Sequence, residues 1–273
     1  MRYLYKFEVM TTECEVTLIT LDKSKADACA KAILSEAKRL EKKYNYYNPS
    51  SYLSQINQRQ IDKLDSETKS ILQRALRYYK LTDRIFDITV ATVKDLYTQL
   101  KDKKTLHVKK NELLKYVGCE HIKIKKERIS FDNEFTKIDL GGFVKELAVD
   151  NAIKIIKKAK ITSALVNFGG DIYALGRRED GNKFRVGIKN PRNPSEHIEY
   201  FELENEALTT SASYERNYKI EDEIYSHIIS TQKSEKEVES VTVISNSCVE
   251  SGVYSTALML NPKLQTKNHI YII

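Results

Sequence analysis

The 273-residue chain has 45 Lys and Arg against 38 Asp and Glu, a formal net charge of +7, with 41% hydrophobic and 30% charged residues. Nine Gly and four Pro are too few for collagen or low-complexity disorder. No run approaches 18 apolar residues, and the opening MRYLYKFEVM is charged where a secretory leader needs an unbroken apolar stretch. The expectation is a globular protein with a sizeable core, no membrane span and a leaning toward anionic partners. A cytoplasmic location is expected with it, a periplasmic one being the alternative should an apolar segment precede the chain. The basic stretches 101–110 and 154–160 read as solvated helix faces, so nucleic acid is not expected as a partner. Cys14, Cys29, Cys119 and Cys248 lie far apart, without a CxxC or Cys/His pair at ligand spacing. They read as buried free thiols rather than a zinc site or disulfide framework.

From the N-terminus, Phe7 to Thr20 alternates and is rich in β-branched residues, which predicts two paired strands. Ala28, Ala32, Ile33, Ala37 and Leu40 recur at helical spacing and predict a helix from Ser24 to Tyr44. Asn45 to Asn57 reads as a polar loop stiffened by Pro49. Helical pattern resumes over Glu67 to Leu81, breaks at IFDITV (Ile85 to Val90) and continues to Leu100. Short strands are expected at Ile122 to Ile124 and Arg128 to Phe131. Later strands are expected at Phe184 to Pro191, Glu199 to Glu204, Tyr225 to Ser230 and Ser240 to Ser247, with a helix from Val249 to Leu260. Neither a repeat nor a linker interrupts the chain, so residues 1–273 read as one domain.

Five of the nine glycines, Gly141, Gly142, Gly169, Gly170 and Gly176, fall within one short stretch. It reads as a strand (TKIDL), a Gly-Gly turn, a helix with an apolar face from Phe143 to Ala159, a strand over Ser163 to Asp171, and a second Gly-Gly turn. Glycines at a helix start let a ligand approach the backbone, and the first-turn amides and helix dipole favour phosphate. Lys145 lies in that first turn. Asp139 and Asp171 each flank a Gly-Gly turn, where a carboxylate can accept from ribose, hold Mg²⁺ or satisfy loop amides. The hydroxyl-rich run ALTTSASYERNY, Ala207 to Tyr218, suits either a phosphate- or flavin-facing surface or a Ser/Thr-rich turn.

Eight elements in order resemble the ApbE-like family of FAD:protein FMN transferases: MTTECEVTLI, YNPSSYLSQIN, IFDITV, KIDLGGFVKELAVD, VNFGGDIYALG, TTSASYERNY, YSHII and SVTVISNSCVESGVYSTAL. The resemblance implies an α+β fold of largely antiparallel sheets flanked by helices, with FAD in a cleft. It implies transfer of FMN from FAD to a Ser or Thr hydroxyl of an acceptor protein, with release of AMP and the help of Mg²⁺. The alternatives are FAD pyrophosphatase activity and non-catalytic FAD binding. Position by position, it puts Met10, Tyr47, Ile85, Phe86, Asp87, Asp139, Lys145, Asp171 and His227 at the FAD site. Lys145 and His227 are the catalytic candidates, and the metal ligands are Thr256 and the backbone oxygen of Val144.

This chain departs from the family pattern at four places. Gly252 stands where the pattern has a metal-binding Asp one turn before the Thr, Glu146 where it has Gly, Ala212 where it has Gly, and Ser230 where it has Asp. The expectation is therefore a degenerate metal site. Glu250 lies on another face of the helix and offers no rescue. Gly252→Asp is accordingly expected to tighten Mg²⁺ binding and raise activity.

Overall fold

The computed structural model describes residues 1–213, 217–226 and 238–273. The alternating N-terminal pattern forms the hairpin β1 (Arg2–Val9) and β2 (Thr12–Ile19). Its two-residue turn, Met10 and Thr11, has φ of 55° and 57°, as a tight hairpin with right-twisted strands requires. Helix α1 (Lys23–Tyr44) follows, capped by Asp22, then α2 (Tyr52–Asn57), capped by Ser51, and α3 (Ser66–Leu81), capped by Asp65. Thus the segment expected to be a loop over Asn45 to Asn57 closes into a helix, because the Ser51 hydroxyl accepts from Ser54 N.

The helical stretch ending at Leu100 is broken into a 3-10 turn (Ile88–Val90), α4 (Ala91–Lys94) and α5 (Leu96–Gln99); α6 (Lys103–Leu114) then precedes the hairpin β3 (Ile122–Lys125) and β4 (Arg128–Phe131). The strand expected immediately before Gly141 does not form over residues 136–140. The backbone there is held by other groups: Lys137 N donates to Thr92 Oγ1, Asp139 N donates to Ile88 O, and the Asn57 amide bonds both Ile138 N and Ile138 O at 2.8 Å. Helix α7 (Gly141–Lys158) leads into β5 (Ser163–Phe168) and β6 (Asp171–Leu175), which turn on Gly169 and Gly170 at φ 61° and 95°. The remaining elements are β7 (Phe184–Asn190), β8 (Asn193–Leu203), β9 (Glu206–Ala212), β10 (Asn217–Ile220), β11 (Glu223–Ser226), β12 (Ser240–Ser245), α8 (Cys248–Leu260) and β13 (His269–Ile272).

Seven strands form one antiparallel sheet in the order β1-β2-β5-β6-β9-β12-β13. Strand alternation assigns its faces. Ala164, Val166, Phe168, Tyr173, Val241 and Val243 pack with α1, α7 and α8, whereas Leu165, Ile172, Ala174, Leu208 and Ile244 pack against Phe184, Val186, Ile188 and Leu203 of the β7–β8 hairpin. β6 is buried throughout because it is covered on both faces. A smaller cluster joins α4, α5 and α6 to the β10–β11 hairpin, where Tyr218 stacks on Tyr97 at 5.6 Å and Tyr225 meets it edge-on at 5.4 Å. The fold is α+β, as expected.

α1 and α3 are tied by charge as well as by packing. Arg39 and Lys43 both bind Glu67, Arg39 also binds Glu36, and Lys43 also binds Asp65. The Arg39 guanidinium, joined by Lys43, holds the Glu67 carboxyl down at about 2. Its folded value lies below the unfolded one, so its stabilisation is present above about pH 4.5 and lost as pH falls toward 2. After allowance for solvent screening of this partly exposed group, Glu67→Gln is expected to cost about 1 kcal/mol at pH 7. Urea unfolding at pH 7 and pH 3 should show that gap shrinking in acid.

Candidate active site

The N-terminus of α7 has no side-chain cap, and Gly142 departs from helical geometry at φ −88°, ψ 22°. A Cβ on Gly142 would meet nothing within 4 Å, and both Gly141 and Gly142 are exposed. Among the first-turn amides, Gly141 N is taken by Asp139 Oδ1, and Phe143 N and Val144 N by Leu140 O, so the helix start opens onto space at Gly142, at the positive end of the helix dipole, where a phosphate can approach. The Gly169–Gly170 turn is supported from two sides: Asn167 Oδ1 accepts from Gly170 N at 2.8 Å, and a Cβ on Gly169 would lie 2.3 Å from Thr12 Cγ2. This brings the β1–β2 turn, with Met10, beside Asp171. Met10 itself is half-buried, its N–H donating to Glu41.

Lys145 Nζ reaches Asp171 Oδ2 at 2.7 Å, with only 3% of the Asp171 side chain exposed. Burial pushes the Asp171 carboxyl up, opposed by Lys145 and Thr209. Next along α7, Glu146 is also buried, and its Oε2 has no hydrogen-bond partner among the described residues. Burial, reinforced by the charge of Asp171 and opposed by Lys145, raises the Glu146 carboxyl to about 8. Its side chain lies over Gly252 of α8: a Cβ built there would stand 2.6 Å from Glu146 Cγ and 3.0 Å from Oε1.

The expectation of a site without its carboxylate is therefore corrected, for Glu146 fills the space that Gly252 leaves. One turn on, Thr256 Oγ1 lies 3.3 Å from Ser211 Oγ, which also bonds Ser255 at 2.8 Å. The hydroxyl-rich run is thus partly a strand, β9, whose Thr209 and Ser211 face α8. Asp150 of α7 accepts from Cys248 N and Val249 N and fixes the start of α8.

A second group forms around Asp139. Its Oδ1 accepts from Gly141 N at 2.9 Å and its Oδ2 pairs with Lys94 at 2.5 Å. Lys94 Nζ also sits 4.9 Å from the Tyr47 ring, which is otherwise exposed. Burial works against the Lys94 ammonium, but Asp139 and Tyr47 outweigh it and hold its pKa high. Phe86 is buried against Phe143, and Ile85 packs at the edge of the same core. Asp87 is largely occupied: its Oδ1 takes Thr89 N, Thr89 Oγ1 and Cys119 Sγ, so it caps the 3-10 turn. Val144 is buried in the core cluster. His227 and Ser230 lie outside the described residues. Sequence reading missed Lys94 and the placement of Glu146.

An open glycine turn that accepts anions, next to buried carboxylates and hydroxyls, defines an α+β protein with a candidate site for phosphate and a hard cation. A sequence model of the ApbE family matches residues 10–270. The chain belongs to the ApbE family. It is 28% identical over 249 residues to the FAD:protein FMN transferase of Vibrio cholerae, covering 85% of this chain and 74% of that one. To the Chlamydia pneumoniae protein of the same name it is 27% identical over 243 residues, covering 84% and 75%. The crystal structure of the ApbE protein from Thermotoga maritima matches all of this chain and 94% of that one, with a TM-score of 0.87 and 26% identity. The flavin transferase ApbE of Vibrio cholerae has the same fold, with a TM-score of 0.81 at 21% identity.

Proposed function

We infer that the chain is an FAD:protein FMN transferase, acting as one domain over residues 1–273. The observation that carries this reading is the Gly141–Gly142 helix start with Asp139, Lys145 and Asp171 around it, within a family match that spans most of the chain. In the proposed reaction a Ser or Thr hydroxyl oxygen of an acceptor protein attacks the FMN-side phosphorus of FAD. A new P–O ester forms, the pyrophosphate P–O bond breaks, and AMP leaves with the electron pair. The open start of α7 at Gly142 receives the phosphate, and Lys145, oriented by Asp171, offsets charge gathering on the leaving oxygen. His227 is proposed to take the hydroxyl proton. Met10, Tyr47, Ile85, Phe86 and Asp139 are proposed to line the flavin nucleotide's site, Asp87 acting through the turn it caps.

We propose Mg²⁺ as the metal. The donors available are carboxylate, hydroxyl and carbonyl oxygens, and Glu146 Oε2 has no hydrogen-bond partner among the described residues. Among the described residues no three His, Cys, Asp or Glu side chains gather into a cage, so water and phosphate would have to complete the coordination shell of an ion held here. Val144 O and Thr256 Oγ1 are proposed to hold it, and when bound it neutralises pyrophosphate charge.

Among the described residues no helix is long and apolar enough to cross a membrane. All four cysteines are buried and free, which supports our proposal of a reducing, cytoplasmic compartment. The direct test is incubation with FAD, Mg²⁺ and an acceptor protein bearing a Thr-containing flavinylation motif. A fluorescent acceptor band with one AMP released per FMN attached is expected. AMP without labelled acceptor would instead establish a pyrophosphatase, and bound FAD without either product a non-catalytic binder.

A further inference from the structure

We propose that Glu146 is a metal ligand of the site, a carboxylate carried on α7 that reaches across the helix interface into the space left by Gly252 on α8. The inference rests on the reading of the site as one for a nucleotide pyrophosphate with a divalent cation. Three observations carry it. Glu146 is only 6% exposed, and its Oε2 has no hydrogen-bond partner among the described residues. An unpaired carboxylate in that position is strongly unfavourable unless a positive charge answers it. The nearby ammonium, Lys145, is already engaged by Asp171 at 2.7 Å, so the cation beside Glu146 is committed to a second carboxylate.

The second observation is steric. Gly252 is the position on α8 where any side chain would collide with Glu146, at 2.6 Å from Cγ and 3.0 Å from Oε1. The Glu146 carboxylate thus occupies the space of a residue-252 side chain, one helical turn from Thr256 and on the same face of α8. The third is chemical: the neighbouring donors Ser211, Ser255 and Thr256 are hydroxyls, which suit a hard cation and offer a carboxylate no countercharge.

Position 146 and position 252 form a reciprocal pair in which one residue must be small for the other to bear the acid. The carboxylate can sit on either helix but not on both.

The test titrates MnCl₂ into the purified full chain in the presence of ADP as the pyrophosphate probe, reading free Mn²⁺ by electron paramagnetic resonance. Wild type is expected to bind one Mn²⁺, and Glu146→Gln, nearly isosteric, to bind it about tenfold more weakly or worse. Moving the acid in the double variant Glu146→Ala with Gly252→Asp is expected to recover binding to within about threefold of wild type. Thermal melts establish that each variant is folded. Equal Mn²⁺ affinity in wild type and Glu146→Gln overturns the proposal, as does failure of wild type to bind Mn²⁺ at all. FAD binding, followed separately by quenching of flavin fluorescence without metal, tests the flavin reading. If FAD binds and Glu146→Gln leaves Mn²⁺ affinity unchanged, only the ligand assignment fails; if FAD does not bind, the function fails with it.

Discussion

Gly252→Asp alone is expected to destabilise the protein by about 3 kcal/mol or more, lowering the melting temperature by roughly 10 °C. The new Cβ would stand 2.6 Å from Glu146 Cγ, and its carboxylate would join Glu146 and Asp171 in the same buried region. Overpacking and like charge act together there. The gain of activity expected from the sequence is thus replaced by a loss. Adding Glu146→Ala should return most of the lost stability, and the size of that recovery measures the coupling between the two positions. Calorimetry on the four proteins of the cycle checks it. Additive effects would mean that Glu146 swings clear of position 252.

The other large effect concerns Lys94. Its side chain is 18% exposed and that of its partner Asp139 13%. Removing the ammonium leaves the carboxylate, among the described residues, with the Gly141 amide, and breaking one side of a buried pair costs about 3 to 5 kcal/mol. Lys94→Met is expected to lose stability in that range and to weaken FAD binding, because Asp139 holds the start of α7 and Lys94 lies beneath the Tyr47 ring. Pairing it with Asp139→Asn should be far milder than Lys94→Met alone. Denaturant unfolding and flavin fluorescence titration read the two consequences separately.

Local signals carried much of the fold. The helix over Ser24 to Tyr44 was marked by its apolar spacing, and the glycine clusters marked both turns of the site. The segment before Gly141 shows where such reasoning stops: it is β-like in composition, but the side chains of Asn57 and Thr92 take the backbone groups a neighbouring strand would have used. Those partners lie 81 and 45 residues away along the chain, and a single sequence does not announce such pairings. Lys94 was illegible for the same reason, since nothing near it in sequence points to Asp139. Glu146 and Gly252 were each visible as departures from the pattern. Only the packing of α7 on α8 reveals that they answer one another.

The Asp150 carboxylate joins these two helices in a way that bears on motion. It belongs to α7, yet its oxygens take the first amides of α8. Neither helix can tilt, slide or fray at that end without breaking the bonds that begin the other. Hydrogen exchange at Cys248 and Val249 is therefore governed by openings of α7, and the two helices behave as one cooperative unit. A substrate-driven rearrangement would have to come from elements facing this pair, such as the Met10–Thr11 hairpin turn or the Lys94 segment, while the two helices holding Glu146 and Thr256 keep their mutual spacing through the catalytic cycle.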